Sequence, residues 1–174
     1  VKTILESLSN QTNVNNIKDI IICDSEEDED NMKDVINKCK PLFKDHTIKH
    51  IFVENNISAK RNAGIIQADS ENLIFIDDDC VPEQDFILNH IKMLEVAPET
   101  IFCGIVEFDK HYVSISNYIK YRSSRHIRKH LTNKPIEDSH EEIIDFTKIV
   151  AMNMSCKKQL LIDNHLFFDE EFFG

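Results

Sequence analysis

Short apolar runs rich in Ile, Val and Phe alternate along this chain with stretches whose apolar positions recur at helical spacing. Ile17–Asp24 (IKDIIICD), His50–Glu54 (HIFVE), Asn72–Asp79 (NLIFIDDD) and Thr100–Val106 (TIFCGIV) read as strands. Apolarity along these runs is continuous rather than alternating, which predicts strands covered on both faces. Val1–Asn10, Asn31–Lys40, Ser58–Ala68 and Pro82–Glu95 read as helices. Ser58 is the expected N-cap of the third, and Pro82 the N-terminal proline of the fourth. Strand–helix alternation of this kind predicts an α/β fold with a mostly parallel sheet flanked by helices.

The rhythm changes after Val106. Phe108 to Glu142 is polar, basic and His-rich with no clear strand. Lys148–Cys156 (KIVAMNMSC) resumes an apolar run, and Phe167–Gly174 (FFDEEFFG) closes the chain with aromatic residues around acids. A fold is not expected to start on an amphipathic helix or stop on such a cluster. The expectation is therefore one domain over 1–174, a fragment short of a first strand and a C-terminal part.

At 174 residues, 41% hydrophobic, with three Gly and four Pro, the chain is sized and composed like one globular domain. No apolar stretch long enough to span a bilayer is present, and no signal peptide is expected from the opening residues. The net charge of −11 disfavours nucleic acid as the main partner. Cys23, Cys39, Cys80, Cys103 and Cys156 are odd in number, irregularly spaced and without a CxxC pair. That usage points to a reducing, cytoplasmic compartment and away from a zinc site.

Chemistry concentrates in Phe75-Ile76-Asp77-Asp78-Asp79-Cys80-Val81-Pro82, where three carboxylates follow an apolar strand and precede a helix. Ligands of open α/β sheets bind beyond the carboxyl ends of the strands. Adjacent carboxylates repel unless a cation neutralises them, and oxygen-rich acidic sites suit Mg²⁺ or Mn²⁺ holding substrate phosphates. The bland alternative is a solvated acidic turn whose Asp79 caps the next helix; the position at a strand end argues against it. In Ile57-Ser58-Ala59-Lys60-Arg61-Asn62-Ala63-Gly64, Arg61 and Asn62 fall in the first turn of a helix. A guanidinium grips phosphate oxygens bidentately and a helix N-terminus favours anions. Taken alone the segment is an ordinary exposed helix start; together with the acids one strand later it reads as a phosphate site. Asp24, at the tip of its strand, offers a carboxylate to a base or ribose. The following SEEDED run lacks EF-hand spacing and glycine and reads as a solvated loop.

The order strand-Asp24, SAKRNAGI, LIFIDDDCVP, AMNMSCKK, FFDEEFFG resembles family 2 of the glycosyltransferases over nearly the whole chain. The resemblance implies a GT-A fold and transfer of a sugar, with inversion, from a nucleotide-diphosphate donor, UDP-sugar favoured, to a hydroxyl acceptor. It divides the chain into a nucleotide-binding half, 1–106, and an incomplete acceptor-side half, 107–174. It assigns Asp24, Arg61, Asn62, Asp77 and Asp78 to the nucleotide and its diphosphate, with Asp24 at the base and Asp77 facing the ribose. Asp79 would hold Mg²⁺ or Mn²⁺, and Asn153 would line the acceptor and donor-sugar side. Two departures stand out. The Pro-Thr-Tyr-Asn-like opening is absent, and the general base is expected beyond Gly174, leaving Asp169 and Glu170 as the matching acids within the chain.

Metal and Arg61 would neutralise the departing diphosphate while a carboxylate deprotonates the acceptor, a saccharide or lipid-linked sugar. Tyr118–Lys134 (YIKYRSSRHIRKHLTNK) is basic; it reads either as a helix touching anionic lipid at the inner face of the membrane or as a solvated helix balanced by nearby acids. His126 and His130, spaced i, i+4, have no evident third metal ligand. Two rivals remain: a haloacid-dehalogenase-like phosphatase using Asp77 and Asp79, and a non-catalytic module binding sugar nucleotides.

Overall fold

The computed structural model describes residues 1–25, 29–43, 46–104 and 151–171. The chain divides into two compact units, Val1–Phe102 with Ala151–Gly174, and Cys103–Val150. The second lies almost wholly outside the described residues, and with it the basic segment 118–134, His126 and His130.

The elements are α1 (Lys2–Ser9), β1 (Asp19–Asp24), α2 (Glu29–Cys39), β2 (Thr47–Phe52), α3 (Ile57–Gln67), β3 (Asn72–Ile76), α4 (Phe86–Val96), β4 (Phe102–Cys103), β5 (Asn153–Lys157) and α5 (Lys158–Asp163). β1 and β2 pair in parallel, from Asp19 opposite Thr47 to Asp24 opposite Phe52. β3 pairs with β5 antiparallel, Ile76 opposite Asn153, and the order of that sheet is β3-β5-β4. The expected parallel pairing thus describes β1 and β2, whereas β5 runs the other way. A helical crossover forces parallel strands only where it links them directly, and β5 reaches β3 after a long excursion.

Side chains alternate across the strands, as the two-residue period of a strand requires. Ile20, Ile22, Ile74 and Ile76 face one cluster built on Ile4, Leu5 and Leu8 of α1 with Cys39, Phe43, Phe86 and Ile87. Ile21, Leu73 and Phe75 face the other, with Ile65 and Ala68 of α3 and its C-cap, Cys156 of β5 and Leu161 of α5. Helices cover both faces of the strands, which is the physical reason for their continuous apolarity.

Several boundaries differ from the pattern: β3 ends at Ile76, short of the acids, and β4 is only Phe102–Cys103, and three further shifts have a visible cause. β2 starts at Thr47, ahead of His50, because Thr47-Ile48-Lys49 alternates and gives no apolar run. The N-cap of α3 is Asn56, whose Oδ1 accepts the amides of Ser58 and Ala59 at 2.8 and 3.1 Å; Ser58 is buried one step inside the helix. α4 starts at Phe86 and not at Pro82, since long-range bonds hold the preceding backbone. Gln11 donates to the Glu83 carbonyl and accepts the Ile87 amide, and the Thr12 amide donates to the Gln84 carbonyl. Among the described residues no helix is long and apolar enough to cross a membrane.

Candidate functional site

The first two turns of α3 lie across the tips of two strands; with the helix starting at Ile57 after the Asn56 cap, Arg61 and Asn62 fall just past the first turn in which the sequence pattern puts them. Lys60 Nζ donates to Ser25 Oγ at 3.3 Å, just past β1, and Arg61 Nη2 donates to Asp77 Oδ1 at 3.3 Å, just past β3. The other ends of these strands are tied as well. Asp19 Oδ1 accepts from the Ser70 hydroxyl and Asp19 Oδ2 from the Asp69 amide, each at 3.0 Å. β1 and β3 therefore begin together and finish together, which sets Asp24 and Asp77 on one carboxyl-terminal edge, where α/β sheets bind ligands.

Asp24 spends one oxygen on the Ser25 amide at 2.8 Å. Its Oδ2 is 3.9 Å from His50 Nε2, too far for a hydrogen bond, and that buried nitrogen has no other partner among the described residues. The His50 ring packs on Phe52 with centroids 4.5 Å apart. Asp77, Asp78 and Asp79 form a turn closed by the Cys80 amide donating to the Asp77 carbonyl at 3.1 Å. Asp77 is half-buried beneath Arg61, while Asp78 and Asp79 are exposed. Asp79 Oδ1 has the Cys80 thiol at 3.8 Å. Burial, then Asp79 and Asp77, push that thiol's pKa up, so it stays a protonated neighbour of the acids and not a competing anion.

Arg61 also lies over the Phe168 ring, 5.4 Å from its centroid, and Phe168 meets Phe75 edge-on at 5.8 Å. Asn62, buried, is bonded through both polar atoms: Oδ1 accepts the Phe168 amide at 2.9 Å, and Nδ2 donates to the Phe168 carbonyl at 2.9 Å and to Glu170 Oε1 at 2.7 Å. Asn56 Nδ2 adds a bond to the Glu170 carbonyl at 2.7 Å. Asp169 is exposed, and its Oδ1 accepts the Glu171 amide at 3.0 Å. The segment reaches α3 through the end of α5. There the Leu166 amide donates to the Leu161 carbonyl and the His165 amide to the Ile162 carbonyl, with His165 at a φ of 54°. This is a Schellman turn with His in the left-handed position that glycine usually takes.

Asn153, opposite Ile76 in the ladder, lies one residue from the acidic turn. Its Oδ1 is 2.8 Å from His90 Nε2, and His90 Nδ1 is 2.7 Å from Ser155 Oγ. An amide oxygen only accepts, so Nε2 carries the proton and Nδ1 accepts from the Ser155 hydroxyl. Burial lowers the His90 pKa, with the Asn153 bond opposing, so the ring is held neutral.

Arg61 and Asp77 are thus in contact, Asn62 and Glu170 are in contact, and Asp24 joins them through the α3 turn. Asp78 and Asp79 are exposed at the rim. The sequence reading overlooked Asn56, Lys60, Phe168 and the His90–Ser155 pair. Asn56 carries a signal, as a cap residue just before the helix; the others meet partners far away in the chain. A shallow concavity of about 260 Å³ lined by Ser7, Asn10, Gln11, Pro82 and Gln84 includes none of the candidate residues.

The sequence matches the family described as glycosyl transferase family 2 over residues 1–154. The chain belongs to glycosyl transferase family 2. The mixed α/β architecture is the GT-A fold of that family. Every candidate residue from Asp24 to Asn153 lies inside the matched span, whereas Asp169 and Glu170 lie outside it. The phosphatase alternative falls with this result. No curated protein matches the chain.

Proposed function

We propose that this family 2 glycosyltransferase binds a nucleotide-diphosphate sugar across the tips of β1 and β3 and transfers the sugar to a hydroxyl acceptor with inversion, assisted by a divalent cation. The observation that carries this is the Arg61–Asp77 pair beside the exposed Asp79, with Lys60 and Asp24 at the other side of the same helical turn. Arg61 keeps further N–H donors beyond the one given to Asp77, and these suit phosphate oxygens. Asp24 keeps one oxygen for a base N–H, a requirement that uracil's imide meets.

The acids fit Mg²⁺ or Mn²⁺. Asp79 is an exposed hard-oxygen donor with only a thiol at hand, and among the described residues no group of three or more His, Cys, Asp or Glu is arranged to cage an ion alone. Mg²⁺-type sites with one or two carboxylates, water and substrate phosphates need no such cage. Asp79 would hold the ion, which when bound neutralises charge on the diphosphate. Arg61 serves the same end directly, stabilising the leaving group electrostatically. Asn153 lies beside the acidic turn, toward the sugar. A carboxylate takes the acceptor proton in a single displacement; the candidates within the chain are Asp169 and Glu170, the second bonded to Asn62 of α3.

The test is transfer from UDP-, GDP- and CDP-sugars to saccharide and lipid-linked acceptors, with product anomers assigned by NMR. Metal-dependent release of one nucleoside diphosphate with an inverted product supports the reading. Donor binding without turnover would instead make this chain a binding module.

A further inference from the structure

Phe168 and Glu170 of the last segment are gripped by Asn62 of α3 and by Asn56, the N-cap of that helix. Asn62 takes both polar atoms of the Phe168 backbone and one carboxylate oxygen of Glu170, and Asn56 takes the Glu170 carbonyl. These bonds join positions more than one hundred residues apart. They use both N–H donors of the buried Asn62 amide and one of the two lone pairs of its oxygen, all on the chain itself. Its neighbour Arg61 reaches Asp77 and lays its guanidinium over the Phe168 ring.

We infer that Asn62 is a positioning residue: it contacts no donor, and it fixes the Phe168–Glu170 segment against the donor site so that the acids there are presented to the acceptor. The inference rests on the donor-site reading for its kinetic half only. An amide is required, because an aspartate at 62 would set its charge against Glu170 and the Phe168 carbonyl. A hydrophobe would leave the half-buried Phe168 amide and carbonyl to find other partners. Asn56 serves the same segment from the preceding cap, so α3 and its cap tie donor and acceptor sides together.

The experiment compares wild type with Asn62→Ala, Asn62→Asp and Arg61→Ala in two measurements. Hydrogen exchange is followed in the peptide spanning 166–171, and UDP binding and turnover are measured in Mn²⁺. In Asn62→Ala and Asn62→Asp, protection of the Phe168 amide falls at least about tenfold, as expected where a bonded segment opens locally. UDP affinity stays within about threefold of wild type, while kcat falls on the order of 100-fold, the scale of a small misplacement of reacting groups. Arg61→Ala shows the reverse order, with affinity lost first. The inference is overturned if exchange at 166–171 is unchanged in both variants at 62, or if Asn62→Ala weakens UDP as much as Arg61→Ala does. Failure of wild type to bind any nucleoside diphosphate defeats the donor-site reading instead; the exchange data then still decide whether Asn62 holds the segment.

Discussion

Arg61 is held between a carboxylate at 3.3 Å and an aromatic face, and a bound diphosphate would compete for the same cation. Hydrogen bonds to charged groups contribute about 1.5–3 kcal/mol, so Arg61→Ala is expected to weaken UDP binding roughly 10- to 100-fold by calorimetric titration. Arg61→Lys should recover only part of this, since an ammonium cannot make the bidentate contact. At His90 the consequence is for stability. The buried ring binds its proton less readily than the unfolded one, so below about pH 6.5 the unfolded state carries more protons. Stability therefore falls as pH drops through that range. His90→Gln should flatten this part of the acid limb in denaturant midpoints measured between pH 7 and 5, whatever it costs at neutral pH. The acids and Arg61 stood out in the sequence because they are local runs. The Asn62 clamp did not: its partners lie 106 and 108 residues away, and no periodicity encodes a contact of that range.

Among the elements, α3 carries most of the account. It has an N-cap in Asn56, the cations Lys60 and Arg61 near its start, and Lys158 Nζ donating to the Ile66 and Ala68 carbonyls at its far end, where a positive charge complements the helix dipole. Packing does not require its interior glycine, since a Cβ on Gly64 would meet Cys23 Sγ at 3.5 Å, an ordinary contact. Cys23 itself is a packing residue, its thiol pKa pushed up to about 11, chiefly by burial. Gly64→Ala should thus be accepted and stabilise by up to about 1 kcal/mol through helix propensity, measured by chemical denaturation; Gly64→Leu should push α3 off β1 and destabilise. Helix and strand identities in this half of the chain follow from the period of their apolar positions. The displaced starts of β2 and α4 do not, because Gln11 and Thr12 override local preference at 83–87 and Thr47–Lys49 joins β1 by register alone. The antiparallel entry of β5 was equally hidden, since pairing direction depends on the path of the chain between strands.

At the scale of the whole molecule, a chain of net charge −11 is proposed to bind an anionic donor. Long-range attraction does not favour that encounter, so affinity has to come from local cations: Arg61, Lys60 and an ion at Asp79. Family 2 membership and the GT-A fold fit a site gathered at one edge of the strands, with both faces of those strands given over to packing. The measurement that tests this most directly is calorimetric titration of the chain with UDP, GDP and CDP, with and without Mn²⁺, alongside Asp79→Ala. One nucleoside diphosphate is expected to bind in a manner that depends on Mn²⁺ and is lost in Asp79→Ala. Equal binding with and without Mn²⁺, unchanged in Asp79→Ala, would contradict it.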